Sequence, residues 1–427
     1  MSKKVLIIAY YWPPAGGPGV QRWLKFVKYL PQYNVEPIVF VPENANYPIK
    51  DMSLIDQVPE GVKVVKHSIK EPYKWAAMLS KKSSKTISSG VIKDESKQSV
   101  LEKLMLYVRG NYFIPDARKN WVKPSFSVIC DILIKQSIQT VITTGPPHSL
   151  HLIGLKLKQE FGVKWIADFR DPWTTIGYHK ALRLTKKSKE KHLFLEKKVL
   201  NTADQVIVTS HVTKTEFKQL TTKPIAVITN GFDDVLTAKN TPSLDVKFSM
   251  VHIGSLLSKR NPVVLWRVLS DLIKENKDFS KDFELKFIGL VSEAVLQNLN
   301  KYNLSNYIDN KGYVSHSECV EYQKKSQVLL LIEIDSNETR CIIPGKLFEY
   351  MAASRPILAL GPKASDVEKL IKETCTGNYF YYDEYLVLKQ HVLSLYQAFK
   401  NNTLSVTPIG VNKYHRRELT KTLSKLI

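Results

Sequence analysis

The chain has 427 residues, with 62 Lys and Arg against 40 Asp and Glu, giving a formal net charge of +22. With 44% hydrophobic and 24% charged residues, it is composed like a folded globular protein; wholesale disorder and a coiled-coil rod are excluded, and its length calls for two domains. Cys130, Cys319, Cys341 and Cys375 are widely spaced and form no C-x-x-C pair, so neither a disulfide framework nor a zinc knuckle is supported. No apolar run approaches the roughly 18 residues of a membrane-spanning helix. Met1 to Tyr11 reads as strand-like without a signal-peptide cleavage region, so a cytosolic protein is expected.

The first series of elements opens with Val5–Ala9, an apolar β-branched run, then a Pro/Gly loop and a helical pattern from Gly19 to Leu30. Pro37–Val41, Thr140–Thr144, Lys164–Asp168 and Gln205–Thr209 read as further buried strands, most of them separated by helical stretches. That alternation predicts a parallel sheet with helices on both faces. The rhythm breaks at about residues 72–120, where the Ser/Lys-rich segment Ser80 to Ser99 predicts a mobile excursion. A stretch without strong periodicity, Asp233 to Asp245, predicts a linker, with the domain boundary at residues 240/241. The second series contains Phe248–Ile253, Glu284–Ile288, Val328–Ile332 and Pro356–Leu360. Residues 241–411 then form the second domain and 412–427 a terminal helix. Two doubly wound domains imply a cleft, and such sheets bind ligands at the carboxyl ends of their strands.

Charge is uneven along the chain. Residues 1–240 hold 37 Lys and Arg against 20 Asp and Glu, net +17, and residues 241–427 hold 25 against 20, net +5. Part of the excess lies in Lys180, Arg183, Lys186, Lys187, Lys189, Lys191, Lys197 and Lys198. Such a run is a solvated helix face, or a surface for an anionic membrane or a polyanion such as nucleic acid.

Three loops carry candidate binding chemistry. Gly16, Gly17 and Gly19 follow the first strand and open a helix, where backbone N–H groups and the helix dipole favour an anion, although a plain tight turn explains them equally well. The pattern is not G-x-G-x-x-G, and the dinucleotide reading is weak. At the corresponding place in the second series, Gly254 admits a phosphate to the backbone, Arg260 offers a bidentate grip and Lys259 a less directional one. Lys346 and Glu349 share a helix face at i and i+3, suited to a phosphate and to vicinal ribose hydroxyls, or to a mutual salt bridge. His148 is placed to hydrogen-bond a ligand or to cap the following helix. Asp168, Arg170 and Asp171 end another strand, either facing the cleft or forming a structural ion pair.

Tyr11-Trp-Pro-Pro with Gly16-Gly17, Thr229-Asn-Gly-Phe-Asp233, His252-Ile-Gly-Ser255, Pro344-Gly-Lys-Leu-Phe-Glu-Tyr-Met-Ala352 and Arg355-Pro-Ile-Leu358 occur in an order that resembles the GT-B glycosyltransferases of the family 4 type, among them bacterial surface-polysaccharide enzymes. The resemblance covers Val5 to about Leu360. It implies an α/β GT-B fold, two Rossmann-like domains facing a central cleft, with a nucleotide-sugar donor on the C-terminal domain and an acceptor on the N-terminal one. It further implies retention of anomeric configuration without a metal or other cofactor, and a terminal helix that crosses back to the first domain. Glu349 matches the second glutamate of the family's E-x7-E signature, the one on the donor ribose. The first is replaced by Cys341, with Glu338 the nearest acid. Arg260 matches the phosphate-binding cation, Gly254 the close-approach glycine and Lys346 the basic residue before the helix, while His148 is similar to the histidine brought to the reaction centre.

The function expected is therefore a retaining glycosyltransferase acting on a lipid-linked or polysaccharide acceptor, peripheral on the cytoplasmic membrane face. Its donor-binding residues are Gly16, Gly17, Gly254, Arg260, Lys346 and Glu349; Arg170 is assigned to the acceptor, and His148, Asp168 and Asp171 to catalysis. The alternatives are a nucleotide-sugar epimerase or hydrolase, a non-catalytic donor binder, and a basic nucleic-acid-binding protein. The last lacks zinc-finger spacing, an RNP-like aromatic motif and a recognition helix.

Overall fold

The computed structural model describes residues 2–71, 98–233 and 242–427. The chain divides into unit 1, Met1–Thr229 with Arg416–Ile427, and unit 2, Asn230–His415. Residues 72–97 of the expected excursion and 234–241 of the expected linker lie outside the described residues.

Unit 1 holds β1 (Lys3–Ile8), β2 (Val35–Pro42), β3 (Lys63–His67), β4 (Thr140–Gly145), β5 (Lys164–Phe169), β6 (Gln205–Val208) and β7 (Ile225–Val227). They form one sheet in the order β3-β2-β1-β4-β5-β6-β7, and every pairing is parallel. Its inner strands are apolar on both faces because helices cover both sides, and separate apolar clusters fill the two layers. The C-terminal helix, Arg416–Ser424, packs into this unit: Leu419, Leu423 and Ile427 join the same cluster as Val5, Ile7 and Leu24. Arg416 donates to Gln21 O at 2.7 Å.

Unit 2 repeats the plan with β8 (Phe248–Ile253), β9 (Phe283–Ile288), β10 (Ile308–Gly312), β11 (Val328–Ile332), β12 (Ile357–Leu360) and β13 (Gly377–Phe380), ordered β10-β9-β8-β11-β12-β13 and all parallel. In both sheets the order reverses beside the first strand of the series. That switch point is where ligands of such folds bind.

Two expectations change. Part of the excursion, Val100–Tyr112, is a helix with a capping box between Ser99 and Glu102. Along the observed units the charge asymmetry also sharpens: unit 1 has 40 Lys and Arg against 19 Asp and Glu, net +21, and unit 2 has 22 against 21, net +1.

Candidate functional site

In unit 2, β8 ends on Ile253 and the chain turns at Gly254, whose φ of 105° is a conformation that side chains resist. The turn clears a pocket of about 420 Å³ at the carboxyl ends of β8, β9 and β10, lined by Gly254, Ser255, Gly289, Gly312, Tyr313 and Cys319 among others. A Cβ on Gly254 would stand 3.3 Å from Lys346 Nζ, so the glycine sets how closely that amine approaches the strand end.

Lys346 lies in the first turn of the helix Gly345–Ala352 and donates to Ile253 O at 2.7 Å. Its Nζ also lies 3.3 Å from His252 Nε2. The other ring nitrogen of His252 faces Leu330 O at 3.1 Å. A carbonyl only accepts, so Nδ1 carries the proton, Nε2 accepts from Lys346, and the buried ring stays neutral. Burial, and then Lys346, hold His252 well below the ordinary histidine range. Loss of water, followed by the charge of Arg260, brings Lys346 down to about 7, against a smaller upward pull from Glu349. Two cations thus converge on one strand end, and the Arg260 Nε is buried with no hydrogen-bond partner in the protein.

The face shared by Lys346 and Glu349 does not close into an i,i+3 salt bridge. Glu349 instead accepts from Gln323 Nε2 at 2.9 Å, with pocket-lining Cys319 close enough to feel its charge. Cys341 is buried in the loop before the helix, its Sγ 3.8 Å from Glu338 O. A residue the sequence reading passed over stands at the next strand end. Glu333 follows β11, is buried, and accepts from Tyr379 Oη at 2.8 Å and Ser365 Oγ at 3.2 Å. Burial outweighs those bonds and the nearby Arg260 and pushes its carboxyl up to about 8. Its signal was present as an acid directly after an apolar strand.

In unit 1 the predicted residues separate into two groups. Asp168 is wholly buried and faces the helix Pro18–Tyr29. It accepts from Arg22 Nη2 at 2.8 Å, Trp23 Nε1 at 2.9 Å and Thr144 Oγ1 at 2.8 Å, with Arg22 Nε at 3.3 Å. A carboxylate so surrounded is a framework group, and the catalytic part expected of it does not fit these surroundings. The Gly16 N–H is likewise committed, to Ile49 O at 2.9 Å, which anchors the loop, while Gly17 forms the N-terminal boundary of the helix.

The second group gathers at the ends of β4 and β5. Arg170 donates to Pro146 O and lies over the Tyr11 ring, 5.5 Å from its centroid. A side chain at Gly19 would collide with its guanidinium, so Gly19, more than Gly16, is the loop glycine that admits this arginine. Burial raises Asp171 above the usual carboxylate range, opposed by Arg170. His148 stacks on Trp173 at 5.0 Å with 1° between the planes, and burial keeps it neutral, well below the ordinary histidine range. It occupies the N-terminal boundary of the helix Ser149–Phe161 but makes no capping bond, and neither ring nitrogen has a partner in the protein. Asp116 caps that helix in its place, accepting from Ser149 N at 2.8 Å. A buried imidazole with both nitrogens unpaired is costly unless something else uses it.

Among the described residues no group of His, Cys, Asp and Glu is arranged to hold a metal ion. Nor is any helix there long and apolar enough to cross a membrane. Two parallel doubly wound sheets, each with polar residues at its carboxyl edge, match solved structures along the whole chain. A glycosyltransferase from Rickettsia africae shares 14% identity and a TM-score of 0.60, over 100% of this chain and 98% of that one. Anabaena HepE in complex with UDP shares 12% identity and a TM-score of 0.58, over 99% and 94%. WaaG, a glycosyltransferase involved in lipopolysaccharide biosynthesis, shares 10% and 0.55, over 99% and 99%. The chain has the GT-B fold. No protein-family model matches it, and no curated protein matches it in sequence. At these identities the likeness of this GT-B chain to the solved structures concerns the fold alone.

Proposed function

We propose that the protein is a retaining, metal-independent glycosyltransferase that moves a sugar from a nucleotide-diphosphate donor to a lipid-linked or polysaccharide acceptor in cell-surface glycan synthesis, working peripherally at the cytoplasmic membrane face. The observation that carries this reading is the convergence of Arg260 and Lys346 on the Gly254 turn beside an open pocket. Two mutually repelling, half-buried cations are suited to a diphosphate, whose charge relieves the repulsion. Glu349, one turn along the same helix, is assigned to the ribose hydroxyls. The similarly folded HepE was solved with UDP.

In the reaction the bond from the anomeric carbon to the diphosphate breaks while Arg260 and Lys346 take up the developing charge. The acceptor oxygen bonds to that carbon on the same face, and its proton passes to the departing phosphate oxygen. His148, neutral and unpaired, is assigned as a hydrogen-bonding group of unit 1; the Arg170 charge bears on it, and Asp171 lies beside Arg170. Cys341 offers no carboxylate nucleophile, so a double displacement through that position is not favoured.

Lys346 gives the reading a pH signature. Its ammonium is intact below about pH 7, and a bound diphosphate raises its pKa. Donor dissociation constants are therefore flat below about pH 7 and rise by up to about tenfold per pH unit above it, with proton uptake on binding. Calorimetry in buffers of different ionisation heat checks this: uptake is near zero at about pH 6 and approaches one proton by about pH 8.

Acceptor-dependent release of nucleoside diphosphate tests the function itself. Turnover without an acceptor would indicate an epimerase or hydrolase, donor binding without turnover a non-catalytic GT-B protein, and salt-sensitive oligonucleotide binding without donor binding a nucleic-acid protein.

A further inference from the structure

The helix Val100–Tyr112 is amphipathic the wrong way round for a helix of a protein interior. It turns Glu102, Leu106 and Gly110 inward and presents Val100, Leu101, Leu104, Tyr107, Val108 and Tyr112 to solvent, with Val100 85%, Leu104 56% and Tyr112 65% exposed. These positions fall at helical spacing, so they form one apolar stripe about three turns long. None of the described residues covers it.

By the side opposite the stripe, this helix packs against the start of the most basic of the described helices. Leu106 packs with Leu182, the Gly110 carbonyl lies 3.4 Å from His192 Nε2, and Thr185 N donates to Asn111 Oδ1 at 2.8 Å. The helix Lys186–Thr202 thus starts against the inner side of Val100–Tyr112. It buries Ser188, His192, Glu196, Val199 and Leu200 and exposes Lys186, Lys187, Lys189, Lys191, Lys197 and Lys198, together with Phe194 at 63%. Unit 1, which carries both helices, has almost all of the net charge.

We infer that Val100–Tyr112 is a membrane-docking helix, its apolar stripe entering the headgroup–acyl boundary of an anionic bilayer while the lysines of Lys186–Thr202 engage the lipid headgroups. An exposed apolar stripe beside a basic face is the surface of an interfacial helix. Lysines near an anionic leaflet add attraction that salt weakens, and their stems can lie along the apolar boundary. The inference rests on the proposed work at the membrane face and adds the element that enters the lipid. It does not depend on the donor chemistry.

The test is sedimentation of the full-length protein with vesicles of 30% phosphatidylglycerol in phosphatidylcholine. Wild type is expected to bind, and Leu104→Asp/Val108→Asp to bind at least tenfold more weakly, with its donor-induced thermal shift unchanged. Leu386→Asp, at an exposed apolar position of unit 2, is expected to bind as wild type does. Lys186→Gln/Lys187→Gln/Lys191→Gln is expected to bind several-fold more weakly with a shallower salt dependence. Equal binding by wild type and the Leu104/Val108 variant would overturn the helix assignment and leave the membrane reading standing. No binding by wild type would overturn both, with the donor reading untouched. A wild-type dimer that the variant dissolves would overturn the inference in favour of a second copy on the stripe. A variant that loses thermal stability while binding vesicles normally would overturn it in favour of a packing role for the stripe.

Discussion

Replacing Lys346 by Ala is expected to lower turnover by about 10²- to 10³-fold, and Arg260→Ala to do the same within that range, the loss typical of removing one preorganised donor from a developing anion. The two are not independent. Arg260 is the charge that, after burial, does most to depress the Lys346 amine, so Arg260→Ala also raises the pKa of that amine and moves the alkaline fall in donor affinity to higher pH. Lys346→Ala abolishes the pH dependence instead of shifting it. A framework role for Lys346, bracing Ile253 O, would cost stability but would not couple the two substitutions in this way. Steady-state rates for both single variants and the double variant, measured at two pH values, separate the cases. Near-normal kinetics in both single variants contradicts the site.

The second large effect is on stability. Asp168→Ala removes the acceptor of four donor contacts and leaves the Arg22 guanidinium, 3% exposed, without its counter-charge. Breaking a buried pair from one side costs about 3–5 kcal/mol, largely because the remaining charge stays buried. Asp168→Asn keeps the shape and part of the hydrogen bonding and is expected to cost less, while a catalytic role would make both variants inactive at full stability. Urea unfolding followed by tryptophan fluorescence provides the check, since Trp23 is itself one of the partners. The donor-induced shift in unit 2 should survive in both.

Asp168 also shows where reading from sequence stops. That it ends a strand was legible, but its partners Arg22 and Trp23 lie 146 and 145 positions away, and no local pattern announces them. The inner strands were legible for the opposite reason: helices on both faces make each a continuous apolar run. The strands not anticipated, β3, β7, β10 and β13, are the edges of the two sheets. An edge strand is paired on one side only and is partly wetted, so Lys63–His67 and Ile308–Gly312 carry too many polar residues for the apolar-run signal.

In the candidate site, the neighbourhood of Gly254, Arg260 and Lys346 was legible because strand-end loops concentrate function and because cations beside a glycine turn suit a phosphate. Glu333 meets the same strand-end rule, but the Glu333-Ile-Asp-Ser-Asn337 stretch carries neither a glycine turn nor a cation to mark it. The helix Val100–Tyr112 had its own start signal, Ser99 three residues before Glu102, next to a Ser/Lys-rich stretch that read as loop. Its outward apolar face is legible only in three dimensions, because an apolar stripe in a sequence does not say which way it turns.

The claim that unit 2 holds a nucleotide-diphosphate sugar is tested most directly by a thermal-shift panel of such donors on wild type and Lys346→Ala. At one hundred times its dissociation constant a bound donor stabilises the native state by about 2.7 kcal/mol, growing with the logarithm of its concentration. The expected result is one donor that raises the wild-type melting temperature in this way, with the shift largely lost in Lys346→Ala. A panel with no shift, or a shift that Lys346→Ala leaves intact, would contradict it.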